Sequence, residues 1–187
     1  QLGRLDESDD FREAVIAIHK QNWRLLSYAA QSYLDDQHFG FIIAGKFHRG
    51  GHRGGDGKYV GSVDRDAVRA LQLLEQAIAL GRNDDDKPAL AGVHLQFGRA
   101  LLPGAGYQEA WRLQVLTDLT QLPDYDETAP RWYGWHRGGN VRGAPVDAEG
   151  QPLFHKLPES YKAAKSDGER WRWMQAQAIE LHPALRN

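Results

Sequence analysis

Before Pro123, apolar residues recur along the chain mostly at helical spacing. Ser8-Asp9-Asp10 opens the first such stretch, and Phe11, Val15 and Ile18 follow on one face. The pattern predicts a helix to about His19 with acidic residues at the positive end of its dipole. A short break at Lys20-Gln21 leads to Asn22, an N-cap residue, and then to the stripe Trp23, Leu26, Ala30, Tyr33 and Leu34. So short a break predicts two antiparallel neighbours. Phe39 to Phe47 fits a buried strand or another helical turn, with Gly40 and Gly45 weakening both.

Beyond it, Ser62 or Asp64 starts a clear helix with Val68, Leu71, Leu74 and Ile78 inward, closed by Gly81. A polar turn at Asn83-Asp84-Asp85-Asp86 precedes Pro88 in the first turn of the next helix, where its missing N–H costs little. Leu90, Val93, Phe97 and Leu101 carry that helix to Pro103. Tyr107, Ala110, Trp111, Leu116 and Leu119 predict a further helix ending before Pro123. From Asp124 to Glu159 the glycines and prolines interrupt anything longer than a turn or two. A small hairpin around Glu149-Gly150 fits within 144–154. Tyr161 to Lys165 predicts a short helical turn. Asp167 then reads as the cap of a last helix bearing Trp171, Met174, Ala178 and Leu181, stopped by Pro183.

The fold expected is mainly α: antiparallel helix pairs in a TPR-like, α-solenoid arrangement with two long glycine-rich loops, and room for one small β-hairpin. It forms a single domain over 1–187, with helical pairs in 1–122, an irregular segment in 123–159 and terminal helices in 160–183. Trp23-x-x-Leu26 matches the opening of a TPR unit, but Ser27 and Ala30 replace its usual Gly and Tyr, and no 34-residue period repeats cleanly.

Composition narrows the functional classes. A hydrophobic content of 41% beside a charged content of 26% is that of a globular protein, and a net charge of −2 provides no field to recruit nucleic acid or an anionic membrane. No apolar run is long enough to cross a membrane. With no cysteine, this stretch has no disulfide, thiolate nucleophile or thioester. The chain starts at Gln1 and not at Met, which reads as a piece of a longer protein.

The tract Lys46 to Tyr59 is the candidate for chemistry, since its five glycines demand an irregular backbone. His48-x-x-x-His52 would put two imidazoles on one helix face for a metal, but the intervening Gly50-Gly51 argues against a helix, so no metal is expected. Arg49-Gly50-Gly51, Arg53-Gly54-Gly55 and Arg137-Gly138-Gly139 resemble RGG segments that contact RNA, yet the near-neutral charge argues against that use. A Walker loop fails because His52 stands where its first Gly belongs and Tyr59 where Ser or Thr should bind magnesium. The binding candidates are therefore His48, Arg49, His52, Arg53, Lys58 and Arg137, with no cofactor and no catalytic residue expected. Asp124 and Asp126 could serve a hydrolase built on the 124–136 loop, against the reading of a solvated acidic turn. Trp171 and Trp173 lie about 200° apart around a helix, which predicts one on the core and the other against the Trp132–Trp135 loop.

Several stretches, in order, carry a family resemblance: Asn22-Trp23-Arg24-Leu25-Leu26, Phe39 to Gly55, Asp64 to Leu73, Glu109 to Gln114, Leu122 to Tyr125, Gly143 to Asp147 and Asp167 to Trp173. Together they resemble the helical N-terminal region of large bacterial alpha-2-macroglobulin family proteins of the planctomycete type. The resemblance implies a parent similar to protease-trapping inhibitors, exported to the periplasm or cell envelope. It implies a non-catalytic accessory helical module whose partners are the parent's other domains and, through the parent, proteases. The family's bait region and Cys–Gln thioester have no counterpart in this chain.

Overall fold

The computed structural model describes residues 7–52, 54–102, 113–128, 146, 148–151 and 154–186. They form helices α1 (Ser8–Ile18), α2 (Trp23–Leu34), α3 (Val63–Gly81), α4 (Lys87–Ala100) and α5 (Asp167–Leu181). Strands β1 (Phe39–Ile43), β2 (Lys46–Arg49) and β3 (Lys58–Gly61) lie between α2 and α3. The protein is thus mainly helical with a small antiparallel sheet of order β2-β1-β3.

Local chemistry sets most helix ends. Asn22 accepts a hydrogen bond from the Leu25 amide at 3.1 Å, and Asp86 accepts one from Ala89 at 3.2 Å. At α5 the cap is Ser166, one residue before the expected Asp167. Its hydroxyl accepts from the Glu169 amide, while the Glu169 carboxylate takes the Lys165 amide at 2.7 Å. This reciprocal arrangement approximates a capping box and frees Asp167 for another task.

The core lies between α2, α3, α4 and α5. Leu26, Ala30, Leu71, Leu74, Ala77, Phe97 and Met174 are almost wholly excluded from solvent. Gly81 lets Trp23 and Leu90 close over the end of α3, because a Cβ there would lie 2.9 Å from Leu90 Cδ1. The Trp23 indole then donates to Asp84 at 2.8 Å, which satisfies its one polar atom.

The structure corrects the sequence reading in several places. Phe39–Ile43 is a strand, and the tract after it is not one long loop. Lys46–Arg49 and Lys58–Gly61 pair with β1 on either side, leaving only residues 50–57 as connection. The β1–β2 hairpin turns on Ala44 and Gly45, both at positive φ (49° and 80°), as a type I′ turn requires. The hairpin proposed at 144–154 lies partly outside the described residues. The predicted helix ending at Leu119 is not helical over 113–119. Instead the Leu113 and Val115 carbonyls accept from the Gly168 and Asp167 amides at 2.9 and 2.7 Å, and Asp167 accepts from the Thr117 amide and hydroxyl. An extended segment there supplies acceptors for the orphan amides of α5, which a helix could not.

The α1 stripe is also corrected. Phe11 and Ile18 are 70% and 76% exposed, and Ile16 is the one buried side chain of that helix. Trp171 and Trp173 both pack partly against the core, and the Trp132–Trp135 loop lies outside the described residues.

Candidate functional site

The register places Gly40, Ile42, Phe47, Arg49 and Lys58 on one face of the sheet and Phe39, Phe41, His48 and Tyr59 on the other. Gly40 stands opposite Arg49 because a side chain there would collide with the His48 carbonyl and the Phe47 ring. The Arg49 side chain therefore projects into the protein, toward α1 and the start of α3. This is a correction: Arg49 is 4% exposed, not a ligand-facing loop residue.

Arg49 forms a two-pronged pair with Asp66, each contact 2.8 Å. Its Nε donates to Asp9, and Nη1 donates to the Gln37 carbonyl. Ser62 donates its hydroxyl to Asp66 instead of capping α3, and His38 Nδ1 lies 2.9 Å from the same carboxylate. Burial alone would raise the Asp66 carboxyl, but the Arg49 fork and the His38 and Ser62 hydrogen bonds outweigh it and hold it below its ordinary value. For Arg49 burial works to lower the guanidinium, and Asp66 and Asp9 reverse that to raise it. A charge-assisted fork of this kind fixes β2 to α3. It has no open side toward solvent, so it is an internal anchor.

A second contact set ties both β2 and β3 to the segment 123–128. Tyr125 stacks on Phe47 with ring centroids 4.4 Å apart, and Arg65 lies over the Tyr125 ring while donating to the Pro123 carbonyl. Asp126 exchanges backbone hydrogen bonds with Gly61, extending the edge of β3, and its carboxylate accepts from Thr128. Lys58, exposed, pairs with Glu127. The candidate acidic loop is thus, over its described part, a strap across β3.

Of the remaining candidates, His48 is half-buried on the outer sheet face. His52 is exposed, with its ring 5.7 Å from Phe41. Arg53 and Arg137 lie outside the described residues. The four described candidates are not gathered into one site: Arg49 points inward, His48 and Lys58 occupy opposite sheet faces, and His52 sits on the connection. Among the described residues no three His, Asp or Glu side chains are grouped to hold a metal ion. Among the described residues no helix is long and apolar enough to cross a membrane.

The sequence reading missed a groove between α2 and α4. Its volume is about 480 Å³, within the range of ligand pockets, and it is open to solvent. Arg24, Ser27, Tyr28 and Gln31 line one wall; Ala89, Gly92, Gln96 and Arg99 line the other. Gln96 ties the walls together, donating to the Ser27 carbonyl at 3.0 Å and to Gln31 at 3.1 Å. Arg24 is held over Trp23 by Asp84 and Asp86. Tyr28 is 76% exposed, and a Cβ on Gly92 would meet nothing within 4 Å. The readable signals were an aromatic residue off the buried stripe and a glycine inside a helix.

Comparison of the chain with protein-family profiles, with curated proteins and with solved structures gives no match.

Proposed function

We propose that this chain is a non-catalytic scaffold and interaction module, a helical-pair stack of TPR-like, α-solenoid character within a larger alpha-2-macroglobulin-like protein. The observation that carries the interaction reading is the contrast between two polar regions. The Arg49–Asp66 cluster is buried and spends its donors on its own chain, whereas the α2–α4 groove is open and carries an aromatic ring 76% exposed. Two helices with a shared partner, α3, flank the groove. Helix-pair stacks use such concave surfaces for partners. The ordered motif set supports the parent family, and an envelope location with proteases among the parent's partners follows from that resemblance alone.

Selection of random peptides displayed on phage against the purified chain tests the interaction reading. Enriched peptides that bind the free protein in calorimetry, together with no turnover of an ester, glycan and peptide substrate panel, are expected. Failure to enrich any sequence, or turnover in the panel, would overturn the reading.

A further inference from the structure

α1 docks against its own apolar pattern. Two of its stripe residues, Phe11 and Ile18, face outward with Val15 half-buried between them, and its inner face carries Asp9, Arg12, Glu13 and Ile16. Arg12 pairs with Asp36 at 2.5 Å and lies over the Tyr33 ring, and Glu13 receives the Arg69 guanidinium at 2.7 and 2.6 Å and the Tyr33 hydroxyl at 2.5 Å. Asp9 reaches Arg49 at 3.0 Å. One buried aliphatic residue, Ile16, completes the interface. By contrast α2, α3 and α4 meet through Leu26, Ala30, Leu71, Leu74, Val93 and Phe97.

We infer that α1 is a displaceable clip: a helix latched by charge over the Asp36–Arg49–Arg69 surface, able to leave it while α2 to α4 stay folded. Burial of apolar surface is what couples an element to the global unfolding unit, and elements with little of it open on their own. Departure would uncover Asp36, Arg49 and Arg69, and would free a helix with Phe11 and Ile18 already turned outward. The inference does not depend on the groove or on the parent family.

Acid is a poor lever on the clip, because the docked carboxylates Asp9 and Glu13 respond in opposite senses. For Glu13, burial would raise the carboxyl, but Arg69 and Tyr33 hydrogen bonds, with Arg12 nearby, hold it below its ordinary 4.5. Its contribution is present above that value and is lost as pH falls through the docked value. For Asp9, burial raises the carboxyl above 3.8, the neighbouring Asp66 adds to the rise, and Arg49 and Arg12 offset it only in part. Protonating Asp9 therefore favours docking. Removing charge by substitution, or screening it, separates the cases.

Hydrogen exchange of the whole chain at neutral pH tests the clip. In the wild type, amides of α1 are expected to exchange at least about tenfold faster than those of α3. Glu13→Gln should speed α1 further and leave α3 unchanged. Should that variant fail to fold, raising sodium chloride from 50 mM to 1 M on the wild type should accelerate α1 alone, since the Glu13 side chain is 43% exposed and open to screening. Equal protection of α1 and α3, or an α1 rate insensitive to both Glu13→Gln and salt, would overturn the proposal.

Discussion

α1 and α3 carry comparable apolar stripes in the sequence, yet the protein uses them oppositely. In α3 the stripe, with Leu71 and Leu74 at full burial, forms the centre of the core. In α1 the ends of the stripe, Phe11 and Ile18, are outside and the charged face is docked, because the surface that receives it is itself charged: Asp36, Arg49 and Arg69. Helical periodicity states that a face is apolar; whether that face is the docked one depends on what the neighbouring elements present. The difference also separates two kinds of stability, one set by apolar volume and one by paired charge.

Loss of the buried charge pair should cost the most. Replacing Arg49 with Met leaves Asp66 with its burial uncompensated and should cost about 3–5 kcal/mol in chemical denaturation. Next comes the apolar side. Leu74→Ala should cost about 2–5 kcal/mol, whereas Ile18→Ala, on the exposed stripe, should stay within about 0.5 kcal/mol. Similar costs at the two leucine-class positions would mean that α1 buries its stripe.

Two backbone substitutions sharpen the picture at smaller scale, with opposite chemistry and the same sign. Ala44→Gly relieves a left-handed backbone at φ 49° and should raise stability by about 1 kcal/mol. Gly92→Ala in mid-helix, with open space around the new methyl, should raise it by about 0.5–1 kcal/mol. Thermal melts of both variants suffice.

A pH effect belongs to the helical core. His94 is buried in α4, with Nδ1 2.9 Å from the Leu90 carbonyl, and burial lowers its ring below the ordinary 6.5, the carbonyl only partly offsetting this. The folded state therefore favours the neutral ring. Its contribution is intact above about 6.5 and declines as pH falls from there toward the folded value. Denaturation midpoints between pH 8 and 5 should show that decline, and His94→Gln should flatten it.

Much of the helical frame was legible. Asn22, Asp86 and Pro88 mark helix starts through local chemistry, and the stripes of α2, α3 and α4 match their buried faces. What was not legible depended on distant partners. The sheet escaped because Lys46–Arg49 and Lys58–Gly61 become strands only by pairing with β1, and their glycine-rich connection masked them. Segment 113–119 has helical spacing but is held extended by the α5 amides. Arg49 read as a loop cation, since nothing local reveals that Asp66, seventeen residues on, waits inside. The groove escaped because it belongs to two helices separated by α3.

On the proposed function a partner docks in the α2–α4 groove and not on the glycine tract. Titration of a selected peptide into the wild type, Gly92→Phe and His52→Ala variants tests it most directly, with melts confirming that each variant folds. Gly92→Phe should fill the groove and weaken binding at least about tenfold, while His52→Ala should leave it unchanged. Loss of binding in His52→Ala with Gly92→Phe unaffected would instead place the partner on the glycine tract.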